Sequence, residues 1–122
     1  MKNDRHVVLV VEDSPLIRLN VLDILVRAGH EALEAENADE AILILEARED
    51  IDLVFTDVTM FGSMNGIDLC HYVRISWPRI KLIVASGTVY LRENSLPKGW
   101  RFLSKPYTEI TVKNAVSGLL GD

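Results

Sequence analysis

The stretch that decides the fold is "VVLVVEDSPL", residues 7–16. Val7 to Val11 form an unbroken apolar run that meets two adjacent carboxylates, Glu12 and Asp13. A short, β-branched run bounded by charge reads as a buried strand, here over 6–11. Ser14 then offers a helix N-cap, and Pro15 fits the first helical position. The two carboxylates pose a problem. Repulsion and desolvation both oppose stacking negative charge at the tip of a buried segment. Either something positive meets them, or they point outward as a solvated turn.

Working outward, apolar bursts alternate with helical patterns. Leu16, Ile17, Leu19, Leu22, Leu25 and Val26 recur at helical spacing, and Gly29 ends that helix. A second strand is expected over 31–35. Asn37 caps a helix running to about Arg48, with Ala41, Ile42 and Leu45 inward. A third strand spans 53–56 and ends at Asp57. The loop "FGSMNG" leads to a helix over 67–76, stopped at Trp77-Pro78. Strands over 80–85 and 101–104 follow, then a closing helix over 108–120. Strict alternation of strand and helix favours a parallel sheet covered on both faces. Right-handed crossovers then favour the doubly wound, flavodoxin-like α/β order 2-1-3-4-5. Between the fourth and fifth strands, Pro97 and Gly99 close the stretch 87–99. A short or irregular fourth helix is expected there.

The totals set bounds. One domain, 1–122, suits a chain of 122 residues. A net charge of -5 disfavours nucleic acid and anionic membrane as direct partners. Cys70 is the only cysteine, so no internal disulfide forms, which fits a reducing cytoplasm. On a helix it reads as a small buried apolar residue. No apolar run approaches the ~20 residues that span a bilayer. "MKNDRH" lacks the apolar stretch of a signal peptide. His6, His30 and His71 show no ligand spacing.

In an open parallel sheet the strand C-termini share one edge, where ligands bind. Glu12, Asp13, Asp57, Ser86 and Lys105 fall at those ends. Three carboxylates there repel unless a hard divalent cation with oxygen ligands relieves them. Mg²⁺ suits a site of few carboxylates that retains waters. With Mg²⁺ and Lys105 the site nears neutrality, and a phosphoryl dianion can approach. Asp57 is then placed to attack phosphorus as a nucleophile. Metal and ammonium would stabilise the equatorial oxygens.

"VEDSP", "FTDVTM", "VASGT" and "LSKPY" stand in order and at suitable spacing. On these motifs the whole chain resembles a response-regulator receiver domain of the chemotaxis-regulator kind. The resemblance implies Asp57 as phosphoacceptor, with Mg²⁺ or Mn²⁺ as cofactor. It implies Asp13, Asp57 and the Thr59 carbonyl as direct metal ligands, and Glu12 acting through water. Lys105 would pair with phosphate. Ser86 and Phe102 match the switch hydroxyl and aromatic; Thr59 and Thr88 match positions that tune phosphate loss. The Lys105–Pro106 bond is expected to be cis. Implied partners are a sensor histidine kinase or histidine phosphotransfer protein and a downstream protein reader. The implied function is a signalling switch, stand-alone or cut from a larger regulator or hybrid kinase. It is not a conventional enzyme: only self-phosphotransfer and autodephosphorylation are expected.

The sequence departs from the family in the loop after Asp57, where Phe61 replaces a usual proline and one residue is inserted, and in the short 87–99 stretch. Two other classes fit the residues less well. An aspartyl-nucleophile phosphohydrolase usually needs a second acid where Thr59 stands. A flavin module lacks its glycine-rich phosphate cradle after the first strand.

Overall fold

The valine run is strand β1, Val7–Val11, and it pairs on both sides. The structure, a computed structural model, describes residues 5–60, 62–87 and 96–121. Four further strands follow: β2 (Glu31–Ala35), β3 (Leu53–Asp57), β4 (Lys81–Ser86) and β5 (Trp100–Ser104). All neighbours are parallel, in the order β2-β1-β3-β4-β5. The four helices among the described residues are α1 (Pro15–Arg27), α2 (Ala38–Ala47), α3 (Gly66–Ser76) and α4 (Glu109–Leu120). Of the stretch 87–99, where a short or irregular helix is expected, residues 88–95 lie outside the described residues and residues 96–99 carry no helix.

Strand alternation sorts the core into two layers. Leu9, Val11, Val54, Val84 and Phe102 pack with Leu45 of α2 and with Leu69, Cys70 and Val73 of α3. Val8, Val10, Phe55, Ile83 and Leu103 pack with Val21, Ile24 and Leu25 of α1 and Val112 of α4. Both faces being covered explains why the central strands β1, β3 and β4 read as near-continuous apolar runs, while the edge strands β2 and β5 carry charged residues. Burial pushes the Cys70 thiol pKa well up, consistent with an inert packing residue.

Helix ends follow local chemistry. Asn37, Asn65 and Thr108 each accept, through the side chain, the amide of the third residue onward. Ser14 differs from expectation. It occupies the N-cap of α1, yet its side chain makes no capping bond; its own amide donates to Glu12 instead. α1 also turns differently from the simple spacing: Leu16, Leu19 and Val26 are exposed, while Val21, Ile24 and Leu25 face the sheet. Its apolar residues go most of the way round, so spacing alone does not choose the buried side. At its C-terminus Gly29 takes φ +94°, its amide donating to Val26 O and that of His30 to Leu25 O. That is a Schellman closure.

Of the two tryptophans, Trp77 stands at the helix end as expected and Trp100 differs by one residue. Trp77 is the C-cap of α3, its amide donating to Val73 O at 2.7 Å. Trp100 opens β5 one residue earlier than expected and is buried, its ring 5.0 Å from that of His71.

Gly66 is a second glycine with a specific demand on it. A Cβ there would lie 1.8 Å from the carbonyl oxygen of Asp57. Its amide donates to Val58 O at 2.8 Å, which pins the start of α3 to the end of β3. The two glycines therefore predict different costs. Gly29→Ala meets no atom within 4 Å and should lose about 1 kcal/mol, from backbone conformation alone. Gly66→Ala must displace backbone and should lose about 3 kcal/mol or more. Urea unfolding of the two variants checks the ranking.

Candidate functional site

At the C-terminal edge of the sheet, β1 delivers Glu12 and Asp13. The Glu12 amide continues the ladder to Ala35 O at 3.0 Å. Its side chain folds back to accept the Ser14 amide at 3.0 Å. Glu12 is 5% exposed, and Asp57, the last residue of β3, is 7% exposed. Asp13 is half-buried. One carboxylate oxygen from each of these three residues lies within 4.8 Å of the others. The repulsion anticipated from the sequence is real, because the acids face one another rather than solvent.

Lys105 enters from the end of β5. Its Nζ stands 3.0 Å from Asp57 Oδ1 and 3.4 Å from Glu12 Oε1. The Lys105 amide donates to Ser86 O at 2.9 Å, and the Lys105–Pro106 peptide is cis, as expected. Ser86, 2% exposed, is the last residue of β4 and pairs with Ser104. Thr59 is exposed, two residues past Asp57. Phe102 is buried in the α2/α3 layer. Thr88 and Phe61 lie outside the described residues.

Titration reflects the crowding. Burial pushes the Glu12 carboxyl up, and the charge of Asp57 adds to that. The Ser14 amide and Lys105 pull the other way without reversing it. Burial alone would lower the Lys105 ammonium. Its hydrogen bond to Asp57 and the charges of Glu12 and Asp57 more than offset this, so the net shift is upward. Nearby, Tyr107 is pushed up to about 12, first by burial and then by Glu12 and Asp57, so the phenol stays protonated.

The donor set is all oxygen, carries three negative charges against one ammonium, and sits at a rigid strand edge. Such a set fits a hard divalent cation, and the nearby ammonium suits an anionic group beside it. A groove of about 520 Å³ opens next to it, lined by Leu16, Ile17, Asn20, Lys105, Pro106 and Tyr107.

Sequence reasoning therefore found Glu12, Asp13, Asp57 and Lys105, and folding brings all four together. It missed two residues that hold them. One is Gly66; the Asn-Gly pair before an apolar helix was a readable cap signal. The other is Arg18, which donates through Nη1 to the Glu12 carbonyl at 2.8 Å. No sequence signal marks that contact.

Residues 8–117 match the family described as the response regulator receiver domain. The Bacillus subtilis transcriptional regulatory protein YrkP is 34% identical over 104 residues, which cover 84% of this chain and 44% of YrkP. This chain thus spans less than half the length of that relative. Chemotaxis protein CheY of Thermotoga maritima is 34% identical over 116 residues, 90% of this chain and 93% of CheY. The crystal structure of response regulator TrrA from Thermotoga maritima, in complex with Mg(2+)-BeF, superposes with a TM-score of 0.82. That match has 26% identity and covers 93% of this chain and 98% of TrrA. The chain belongs to the response regulator receiver domain family of phosphorylation-dependent signalling switches.

Proposed function

We propose that residues 1–122 form one receiver domain that takes a phosphoryl group onto Asp57 from a phosphohistidine. The donor is a sensor histidine kinase or a histidine phosphotransfer protein, and the setting is the cytoplasm. The observation that carries this reading is the Lys105 ammonium, 3.0 Å from Asp57 within a cluster of three carboxylates.

In the transfer, an Asp57 oxygen attacks phosphorus in line. The phosphorus–nitrogen bond breaks, the imidazole leaves with its electron pair, and an aspartyl phosphate remains. β3 holds Asp57 on a rigid scaffold, which favours that geometry. Lys105 neutralises charge on the phosphoryl oxygens. Asp13, Asp57 and the Thr59 carbonyl would hold Mg²⁺ or Mn²⁺ directly, and Glu12 would act through water. The cation, when bound, supplies the positive charge that the three acids and the incoming phosphoryl group require. TrrA, solved with Mg(2+)-BeF, supports this reading of the acids.

The apolar groove beside Lys105 supports a protein donor. Leu16, 81% exposed at its edge, offers a partner's side chains a surface next to the reacting atoms. Ser86 and Phe102 form the switch, and a downstream protein reads it; Thr59 and Thr88 set how long the phosphate lasts. Phe102 already stands inward, so its role requires a second, outward position. Self-phosphotransfer and autodephosphorylation are the only chemistry this reading assigns. The module acts alone, in the manner of the CheY match, or within a longer regulator, in the manner of YrkP. Among the described residues no helix is long and apolar enough to cross a membrane.

The protein incubated with Mg²⁺ and acetyl phosphate should gain one phosphoryl group by intact mass. Asp57→Asn should gain none; label persisting on that variant would contradict the assignment. Asp13→Asn should weaken Mg²⁺ binding by at least about tenfold, and unchanged calorimetric affinity would misplace the metal. The raised Glu12 carboxyl adds a pH dependence. As pH falls, Glu12 takes a proton before ordinary carboxylates do, and metal binding must then release it. Mg²⁺ affinity should therefore begin to fall above the usual carboxylate range. In Glu12→Gln that early decline should disappear.

A further inference from the structure

We propose that Arg18 is a positioning residue for the acidic pocket. Its guanidinium, tied to the Glu12 carbonyl and to Glu34, fixes the turn that carries Glu12 and Asp13. The inference rests on the reading that this pocket binds Mg²⁺.

Two adjacent acids facing a third push the turn open while no cation is bound. Bonds to the backbone of the turn resist that motion. The Glu12 amide is already used by β2, through Ala35 O. The Glu12 carbonyl of the same residue accepts from Arg18 Nη1 at 2.8 Å. Arg18 Nε in turn donates to Glu34 Oε1 at 2.8 Å. The Arg18 side chain is 15% exposed, which strengthens the partly buried bond to the Glu12 carbonyl, whereas the Glu34 carboxylate is 59% exposed and its arm is the weaker one. Its own amide donates to Ser14 O at 2.9 Å, in the first turn of α1. One planar fork therefore joins three elements: the edge strand β2, the turn after β1, and the start of α1. Both arms belong to one rigid group, so neither bond shifts without the other.

This role has a sign opposite to that of plain electrostatics. Arg18 is a positive charge near a cation site, so as a charge alone it opposes Mg²⁺. Removing it would then tighten binding. As a positioning group it favours Mg²⁺, and removing it weakens binding. The choice of cation separates the two as well. Mg²⁺ demands near-ideal octahedral geometry, whereas Ca²⁺ tolerates irregular ligands. A misplaced turn penalises Mg²⁺ more than Ca²⁺, and a lost charge shifts both alike.

The test is calorimetric titration of the full chain with Mg²⁺ and with Ca²⁺, for wild type, Arg18→Ala and Arg18→Lys. Arg18→Ala should lose about tenfold in Mg²⁺ affinity and less in Ca²⁺ affinity. Arg18→Lys keeps the charge without the fork and should also show a lower Mg²⁺/Ca²⁺ affinity ratio. Unchanged or tighter Mg²⁺ binding by Arg18→Ala overturns the proposal. If Arg18→Ala does not fold, Arg18→Lys decides, and a wild-type ratio there overturns it equally. A wild-type protein that binds no Mg²⁺ removes the metal reading itself. Wild-type binding with undiminished variants removes only the role of Arg18.

Discussion

One ammonium makes the site possible. Lys105 lies 3.0 Å from Asp57 and 3.4 Å from Glu12, and it offsets part of the repulsion among three acids gathered within 4.8 Å. Like charges that close interact strongly once partly desolvated. The upward shifts of Glu12 and Lys105 express the same crowding from its two sides. The acid tends to keep a proton because it is buried beside other acids. The amine keeps its proton because those acids need it. Two negative charges remain over, and a divalent cation is the natural complement. The pocket as folded carries that excess of negative charge, and on the proposed reading a cation and then a phosphoryl group would balance it.

The fold exists in part to assemble that state. Glu12 and Lys105 are 93 residues apart in sequence. Parallel strands bring them together because every strand ends at the same edge. Packing on both faces fixes the strands, and the strands fix the acids. Gly66 lets α3 start directly against the Asp57 carbonyl, where any side chain would collide. Arg18 ties the turn after β1 to β2, through the Glu12 carbonyl and Glu34. Neither residue touches a reacting atom in this reading. Both define where the reacting carboxylates stand.

Much of this was legible in the residues. The valine run, the isoleucine and leucine strands and their alternation with helices carry the sheet, because buried parallel strands need unbroken apolar sequence. Asp57 and Lys105 are legible because polar groups at the ends of such strands have few structural reasons to be there. Other features were not legible. The buried side of α1 is hidden because leucine, isoleucine and valine lie most of the way around that helix. Ser14 looks like an ordinary cap, but the neighbouring Glu12 carboxylate takes the Ser14 amide and the hydroxyl makes no capping bond. The contact from Arg18 to a main-chain carbonyl depends on a side-chain path that no spacing rule encodes. Strand ends shifted by a residue at β1, β4 and β5, where ladder pairing rather than residue type sets the boundary.

The most direct test of the central claim is a crystal structure of this chain grown with Mg²⁺ and beryllofluoride, whose tetrahedral unit stands in for a phosphoryl group. The account predicts the fluoroberyllate on Asp57 and against Lys105, with the cation on Asp13, Asp57 and the Thr59 carbonyl. Fluoroberyllate on a different carboxylate, or a cation ligated away from these acids, would contradict it.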